Sequence, residues 1–365
     1  MIDVRIVEEQ YANGIACYAY ELVKNLAANP NTAQEKIYLL ICENSALKKL
    51  NLPSHFHFIP MKTHWMSLWG QFELLKMIFK IKPRLFHSPS FIVPLLSSVN
   101  LIATIHDMNH MVLAQNYSFA QRVYYFLLSL RLKYKSFILT VSEFSKREIE
   151  KYLKVPTDKI QVVYNGLSDE FKPKKEFSPI SLEEAQKKYA LPKNYIFTLG
   201  NNKPHKNLEE FIRSYCESGL NISLVILSNS YEKLKDIVSN YQRKSDVFFL
   251  PQVKEHHDLA KIYALSDLFV FPSIYEGFGF PPLEAAACGV PVLTSEVSSL
   301  PEIMGKNSFY FDPSSHIAMK NALLEFFEKS LEQKMEHVES ALQRSKNFQW
   351  KAASEAVWLV YSRRC

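Results

Sequence analysis

The chain lacks the features that mark secreted and membrane-spanning proteins. Its five cysteines are odd in number and widely spaced, and no C-x-x-C pair occurs. We therefore expect reduced thiols and a cytoplasmic protein. The N-terminal stretch MIDVRIVEEQ carries acidic residues where a signal peptide needs a basic flank and an apolar core. No uninterrupted apolar run reaches the ~18 residues of a membrane-spanning helix.

Glycine-rich nucleotide-binding motifs are also absent. Only nine glycines occur among 365 residues, and neither G-x-G-x-x-G nor G-x-x-x-x-G-K-[ST] is present. These absences argue against a dinucleotide-dependent dehydrogenase and against a P-loop hydrolase. A hydrophobic fraction of 47% and a charged fraction of 22% are typical of a soluble globular protein. The length indicates two domains, each with its own core.

Short apolar segments alternate with helical patterns along both halves of the chain. This alternation predicts α/β domains, each with a parallel sheet and helices on both faces. The predicted strands of the first half lie in MIDVRIV, KIYLLIC, HFHFIP, LFHSPS, NLIATIHD, SFILTVS and IQVVYNG. Those of the second half lie in YIFTLGN, NISLVILS, VFFLPQV, LFVFPS and VPVLTS.

Residues 172–193 interrupt the apolar pattern with prolines and charges, which predicts the junction between the domains. We expect a first domain over residues 1–173, a second over 174–345 and a C-terminal helix over 346–365. In open α/β sheets, ligands bind beyond the carboxyl ends of the strands. The chemically informative residues should therefore follow strands.

The stretch IYEGFGFPPLEAAACGVPVLTS, residues 274–295, follows such a strand and contains two carboxylates, Glu276 and Glu284. Its glycine-rich loop leads into a helix whose first turn accommodates two prolines, and a helix N-terminus of this kind favours a phosphate. The carboxylates would instead accept hydrogen bonds from hydroxyls. A sugar nucleotide offers both groups. Taken alone, the two residues also fit a loop carboxylate and a helix-start carboxylate that bind nothing.

Glu276 and Glu284 have the spacing of the E-x7-E signature of retaining glycosyltransferases of family 4, and the sequence around them is similar to that family. The resemblance covers nearly the whole chain and implies the GT-B fold, in which two Rossmann-like doubly wound domains face a central cleft. The other similar segments are TIHD, ILTVSEFSKREI, VVYNGLSDEF, FTLGNNKPHKNLEEFI, SDLFVFPS and SSLPEIMG, in the expected order.

The resemblance implies a role for each residue of the donor site. Glu276 would contact hydroxyls of the donor sugar, and Glu284 would contact the ribose. The backbone at Phe278 and Gly279 would lie near the sugar and the phosphates. Lys206 matches the lysine that binds the donor diphosphate, where a cation stabilises the charge that develops on the leaving group.

Two departures from the family pattern affect the expected phosphate contacts. Asn201 stands where many members have an arginine, and we expect Lys203 or His205 to supply part of that charge. Gly14 resembles the glycine loop near the diphosphate, although Asn13 replaces a second glycine found there in many relatives.

His106 follows a predicted strand and matches the histidine that contacts the donor sugar beside the reacting carbon. Together with Asp107 and His110 it would also fit part of a metal site, but no further cluster completes one, and no D-x-D occurs. We expect no metal cofactor. Val253 is the residue expected beside the nucleobase.

The resemblance implies an enzyme that transfers a hexose, with retention, from a GDP- or UDP-linked sugar to a saccharide or lipid-linked acceptor. Assembly of a surface polysaccharide, such as O-antigen, capsule or lipopolysaccharide, is the expected setting. We found no convincing covalent nucleophile, which favours attack on the same face as the leaving group. An epimerase or phosphorylase on the same scaffold, or a sugar-nucleotide-binding protein without turnover, are the alternatives.

Charge and aromatic residues concentrate in the first half. Residues 1–174 carry 21 Lys and Arg against 14 Asp and Glu. Residues 63–86 and 122–137 combine aromatic and basic residues in helical patterns, which suits either burial against the first sheet or peripheral contact with an anionic membrane. No nucleic-acid partner is expected.

Overall fold

The computed structural model divides the chain into two compact units. Unit 1 comprises Met1–Gly166 and Gln349–Cys365, and unit 2 comprises Leu167–Phe348. The structure describes all residues except 10–13, 113–118, 202, 230, 242, 244, 251, 254, 307 and 365. The expectations for Asn13 and for the thiol of Cys365 therefore lie outside the described residues.

A seven-stranded parallel sheet forms the centre of unit 1, as far as its described residues show. The strand order is β3-β2-β1-β4-β5-β6-β7, so the chain reverses its winding direction between β1 and β4. The strands are short, and β2, β4, β5 and β6 are buried on both faces, which explains why they read as continuous apolar runs, whereas edge strand β3 is largely exposed. Their bounds are β1 Ile2–Asp3, β2 Ile37–Ile41, β3 Phe56–Pro60, β4 Leu85–Ser88, β5 Asn100–Ile105, β6 Ser136–Thr140 and β7 Ile160–Val162.

Helices cover the sheet of unit 1, and hydroxyl side chains begin two of them. Ser67 Oγ accepts a hydrogen bond from Gly70 N–H at 2.9 Å, and Ser142 Oγ accepts one from Ser145 N–H at 3.0 Å. The helices are α1 Gly14–Ala28, α2 Leu68–Ile81, α3 Asn109–Val112, α4 Phe119–Lys135 and α5 Glu143–Leu153.

The C-terminal helix of the chain, Trp350–Arg364, packs within unit 1, in agreement with the expected return to the first domain. Gly166 permits this return, because a Cβ atom there would lie 2.0 Å from the backbone nitrogen of Trp350. The Tyr18 ring of α1 also contacts the Trp350 ring, at 5.9 Å between centroids.

A six-stranded parallel sheet forms unit 2, with the order β10-β9-β8-β11-β12-β13 and a reversal between β8 and β11. The described strands are β8 Tyr195–Leu199, β9 Ser223–Leu227, β10 Val247–Leu250, β11 Leu268–Phe271, β12 Val292–Ser295 and β13 Phe309–Phe311. The helices are α6 Pro179–Lys188, α7 Leu208–Ser218, α8 Glu232–Asn240, α9 His256–Leu265, α10 Phe280–Ala287, α11 Leu300–Met304, α12 His316–Glu328 and α13 Leu331–Ser345. The C-terminal helix, Trp350–Arg364, follows them and is α14.

Unit 2 extends beyond its predicted boundaries at both ends. The chain leaves unit 1 after Gly166 rather than after residue 173, and it returns after Phe348 rather than after residue 345. A backbone hydrogen bond of 3.0 Å from Leu167 N–H to Phe348 O joins the two crossing segments, so both crossings occur at one place. The proline-rich segment 172–193 contains α6 of unit 2, where Ser178 caps a helix that begins at Pro179.

No helix among the described ranges combines the length and apolarity that crossing a membrane requires.

Candidate active site

An ion pair joins the two strands at which the sheet of unit 2 reverses. Lys206 follows β8 and Glu276 follows β11, and the Lys206 Nζ atom lies 2.5 Å from Glu276 Oε1. Both side chains are partly exposed, at 18% and 15%. The Lys206 ammonium also lies 5.4 Å from the centroid of the Phe271 ring. A reversal point of this kind is where open α/β sheets bind ligands.

Backbone contacts hold the Lys206 loop against the loop that carries Glu276. The carbonyl of His205 accepts hydrogen bonds from Ser273 Oγ at 3.0 Å and from Ile274 N–H at 2.8 Å. The Asn207 side chain donates to Pro313 O at 2.9 Å. Lys206 thus lies on a segment that is fixed on both sides, so its ammonium is directed to one place.

Two serines position the backbone around Glu276. Ser298 Oγ accepts a hydrogen bond from Glu276 N–H at 3.1 Å, while buried Ser299 donates through its hydroxyl to Glu276 O and Phe278 O, both at 2.9 Å. The Phe278 ring is buried against Phe348. The loop expected to lie beside the sugar and phosphates is therefore held rigidly from within unit 2.

Gly279 begins α10 in a conformation that requires glycine. Its φ is +107°, and a Cβ atom would lie 2.7 Å from Leu300 Cδ2. Prolines occupy the first turn of α10 as predicted. The helix ends at Ala287, and beyond it the N–H groups of Gly289 and Val290 bond to the carbonyls of Ala286 and Ala285. The positive end of the helix dipole thus begins beside Gly279.

Glu284 lies half-buried in α10 and accepts a hydrogen bond of 3.0 Å from the hydroxyl of buried Tyr263. Burial raises the pKa of Glu284 to about 7, and the Tyr263 hydroxyl opposes that rise by stabilising the carboxylate. Desolvation, followed by the nearby Glu284 charge, raises the pKa of Tyr263 well above its ordinary value, so this hydroxyl stays protonated and donates. Glu284 is thus poised to ionise near neutral pH.

The three residues considered in place of the family arginine differ in burial and in charge. Asn201 Oδ1 accepts a hydrogen bond from Lys203 N–H at 3.2 Å and so closes a local turn. Lys203 is exposed. His205 is buried, and burial together with the nearby Lys206 charge lowers its pKa to about 4. His205 is therefore neutral at pH 7 in this structure, and the expectation that Lys203 or His205 supplies part of the charge at the phosphates stays a prediction.

Val253 lies half-buried in the segment between β10 and α9. Its expected position beside a nucleobase stays a prediction.

Two of the predicted residues belong to unit 1. Gly14 is the first residue of α1. His106 follows β5, and its Nε2–H donates to Pro89 O at 3.0 Å, because a carbonyl can only accept. Burial lowers the pKa of His106 to about 4, so the ring is neutral and its Nδ1 is the unprotonated nitrogen. The Tyr18 ring contacts the imidazole edge-on, at 4.8 Å between centroids.

Asp107 and His110, which would accompany His106 in a metal site, make other contacts in this structure. Asp107 Oδ1 accepts a hydrogen bond from Asn109 N–H at 2.9 Å, and the His110 ring lies between the rings of Phe91 and Tyr125. Within the part of the chain that the structure describes, no three His, Cys, Asp or Glu side chains converge in a way that would hold a metal ion.

Several residues of the site were not found by sequence reasoning. Tyr263 has no local motif, since it lies on the apolar face of α9, one turn before the next strand. Ser298 and Ser299 lie in SSLPEIMG, a segment that is similar to the family but that gave no indication of their contacts. Their roles depend on tertiary proximity to the loop at 276–278.

Each unit is a doubly wound α/β unit with a parallel sheet, and in unit 2 a lysine and two carboxylates follow the strand ends. Residues 12–171 match the family model described as Glycosyltransferase Family 4, and residues 181–344 match the model described as Glycosyl transferases group 1. The chain therefore belongs to the group 1, family 4 glycosyltransferases.

Relatives and a solved structure agree with this assignment. The chain is 29% identical over 338 residues to the O-antigen chain mannosyltransferase B of Escherichia coli, across 86% of each chain. It is 31% identical over 236 residues to the O-antigen chain mannosyltransferase RfbU of Salmonella typhimurium, across 63% of this chain and 61% of RfbU. Anabaena HepE, solved with UDP and glucose, superposes over 100% of both chains with a TM-score of 0.78 at 15% identity. This last likeness establishes the GT-B fold and nothing finer.

Proposed function

We propose that this glycosyltransferase moves mannose from a nucleotide sugar to a membrane-anchored saccharide during the assembly of a surface polysaccharide, with retention of the anomeric configuration. The Lys206–Glu276 pair at the sheet reversal carries the proposal, because it places a cation and a hydroxyl acceptor side by side. The choice of mannose is supported by relatives that are named mannosyltransferases. GDP-mannose is accordingly the first donor to test, ahead of UDP-linked sugars.

The side chains of unit 2 suit the two ends of such a donor. Lys206 would leave Glu276 for the diphosphate. Its charge would stabilise the leaving group as the bond between the anomeric carbon and the diphosphate oxygen breaks. Glu276 would then accept hydrogen bonds from sugar hydroxyls. Glu284, held by Tyr263, would accept hydrogen bonds from the ribose in its ionised form. The N-terminus of α10 adds a positive dipole near the phosphates.

A transfer assay tests the reaction directly. The purified protein would be incubated with membranes of a strain deleted for its gene, and with radiolabelled GDP-mannose, UDP-glucose or UDP-galactose. We expect label in the lipid fraction from GDP-mannose, and an α-linkage by NMR of the released product. Label from a UDP-sugar alone would overturn the choice of mannose. An inverted linkage would overturn retention. Free nucleotide with no labelled lipid would favour a binding or hydrolytic protein.

We also propose that unit 1 holds the acceptor end of the reaction at an anionic membrane. Apolar side chains on the outer faces of α2 and α4 recur at helical spacing and are exposed, with Trp69 at 75% and Phe119 at 80%. The membrane-facing set, as we define it, is Leu68, Trp69, Phe72, Phe79, Leu96, Phe119, Val123, Phe126, Leu127, Leu130 and Tyr134. Burial against the sheet accounts only for the opposite faces of these helices.

Side-chain contacts join α2 and α4 to the same loop, which connects β4 and β5. The Gln71 amide donates to Val93 O and to the Tyr124 hydroxyl, both at 3.2 Å, and its oxygen accepts from Leu95 N–H at 3.1 Å. Arg131 of α4 donates to the same loop, at Pro94 O and Ser97 O. Leu96 lies in this loop and is exposed, so the loop adds an apolar side chain to the membrane-facing set.

The charges around the membrane-facing set favour an anionic partner. The sequence of α4 contains no Asp or Glu, and Glu73, the one acidic residue in α2, is turned toward the backbone N–H groups of Lys62 and Thr63. Exposed cations flank the set, among them Lys76, Lys80, Arg122 and Lys135. Each cation near an anionic bilayer contributes about 1 kcal/mol.

Co-sedimentation with vesicles tests this surface. We expect binding to phosphatidylglycerol vesicles that weakens as salt shortens the Debye length from ~10 Å at 0.1 M to ~3 Å at 1 M. Trp69→Ser with Phe72→Ser should abolish binding. Leu331→Ser with Met335→Ser removes equally exposed apolar side chains from α13 and should not. Failure to bind, or concentration-dependent self-association that the first pair of substitutions abolishes, would contradict the proposal; the latter would assign the surface to a second copy of the chain.

A further inference from the structure

A series of buried contacts in unit 1 leads from the C-terminal helix to His106, through hydrogen bonds and one contact between rings. The Tyr361 hydroxyl of α14 lies 2.5 Å from His87 Nδ1, and His87 Nε2 lies 2.8 Å from Thr104 Oγ1. The Tyr18 hydroxyl of α1 lies 3.1 Å from the same Thr104 oxygen. The Tyr18 ring then contacts His106. We name these four residues, Tyr361, His87, Thr104 and Tyr18, the supporting chain.

Two residues of the supporting chain lie near the ends of β4 and β5, just before the residues that form the His106 hydrogen bond. Thr104 lies two residues before His106, and His87 lies two residues before Pro89, which accepts the His106 hydrogen bond. The side-chain bond between His87 and Thr104 and the bond from His106 to Pro89 are therefore parallel links between the ends of β4 and β5. Tyr18 touches both links, through its hydroxyl and through its ring.

These residues carry buried polar atoms that packing alone does not require. His87, Thr104, Tyr18 and Tyr361 are all buried, and an apolar core would need none of their polar atoms. Burial lowers the pKa of His87 to about 3, so its ring is neutral and must accept at one nitrogen and donate at the other. Each hydroxyl thus has a defined partner, and the rings have little freedom to turn.

We infer that Tyr361, His87, Thr104 and Tyr18 are positioning residues for His106, and that α14 thereby helps to fix the orientation of the imidazole within unit 1. This inference rests on the proposed function and on the role that the family resemblance implies for His106, which is contact with the donor sugar. Catalytic contacts lose much of their effect when a group shifts by about 1 Å. Loosening the supporting chain should accordingly reduce turnover more than donor binding.

Hydroxyl deletions test the inference. Tyr361→Phe and Tyr18→Phe keep the rings and remove the polar links. We expect each to lower kcat by about tenfold with KM for the donor changed less than twofold. Thr104→Val should behave alike, and Thr104→Ser, which keeps the hydroxyl, should retain activity. Tyr215→Phe is the matched control, because it removes a buried hydroxyl that donates to Ile222 O in unit 2.

A double-mutant cycle separates positioning from general stability. If Tyr361 acts through His106, Tyr361→Phe should have no further effect on kcat in a His106→Ala background. An equal loss in both backgrounds would overturn the inference. Loss of activity in His106→Ala with normal kcat in both tyrosine variants would also overturn it while leaving the proposed function intact. Full activity of His106→Ala would instead refute the role of His106 itself.

Discussion

Lys206 and Glu276 neutralise one another across the reversal point of the second sheet, with 2.5 Å between ammonium and carboxylate. The pair spans 70 residues of sequence and joins the loops after β8 and β11. Both charges would find new partners on a bound nucleotide sugar, the ammonium on phosphate oxygens and the carboxylate on hydroxyls. The ion pair therefore holds in place the two groups that we propose to bind the donor.

The first prediction concerns this pair. Lys206→Ala and Glu276→Gln should each lower kcat/KM by at least ~10²-fold, or about 2.7 kcal/mol of transition-state stabilisation. Because the side chains touch, the double variant should lose less than the product of the two single losses. Steady-state kinetics with the active donor provide the measurement.

The exposed pair of Lys233 and Glu209, 3.1 Å apart in the same unit, is the matched control. Lys233→Ala and Glu209→Gln should leave kcat/KM unchanged. Near-normal turnover in both Lys206→Ala and Glu276→Gln would refute the assignment.

A second prediction follows from the raised pKa of Glu284, about 7 against an ordinary 4.5. Only the carboxylate accepts hydrogen bonds from both ribose hydroxyls, so binding is strongest above pH 7 and weakens as the group protonates. At pH 6 about one tenth of the sites are ionised, and the affinity for the nucleoside diphosphate should be about tenfold lower than at pH 8. Calorimetric titration across this range should show a pH dependence that Glu284→Gln removes. A wild-type affinity independent of pH would contradict it.

Gly279 is the subject of the third prediction. Gly279→Ala places a Cβ in a left-handed conformation and against Leu300, and should lower the free energy of unfolding by about 2–3 kcal/mol. Gly219 also has a positive φ, +68°, but open space around it, so Gly219→Ala should lose only about 1 kcal/mol. Urea denaturation compares the two. Equal losses would show that the contact with Leu300 does not matter.

The fourth prediction is that transfer survives chelation. The sequence has no D-x-D, and Lys206 with the start of α10 offers the leaving diphosphate positive charge from the protein itself. Activity in EDTA should match activity in Mg²⁺. Complete loss in EDTA, restored by Mg²⁺ or Mn²⁺, would show that the leaving-group chemistry has been misread.

Local patterns predicted much of the fold because parallel strands and their helices have distinct signatures. The helix predicted after the glycine-rich loop begins at Phe280, with two prolines in its first turn. β13 was missed, because its three residues, Phe309–Phe311, form a strand only through pairing with β12. The domain boundary was misplaced because α6 uses a proline and charged residues in the way a linker does.

The candidate site was predictable only where residues lie in a recognisable motif. Lys206, Glu276 and Glu284 belong to such motifs. Tyr263 lies in none of them, and Ser299 lies in SSLPEIMG without any sign of its contacts, since a hydroxyl that reaches a partner about 20 residues away leaves no local pattern. His205 had the residue type of a cation, but its burial, which the sequence does not reveal, leaves it neutral.

The most direct test of the account is a thermal-shift titration of the wild-type protein and of Lys206→Ala with GDP-mannose, alongside UDP-glucose and free mannose. The account predicts saturable stabilisation of the wild type by GDP-mannose, reaching about 2.7 kcal/mol at 100 times the Kd. Free mannose should have no effect, and Lys206→Ala should need at least tenfold more donor for the same shift. No saturable shift with any nucleotide sugar, or an identical response from Lys206→Ala, would contradict the claim that this site binds the donor.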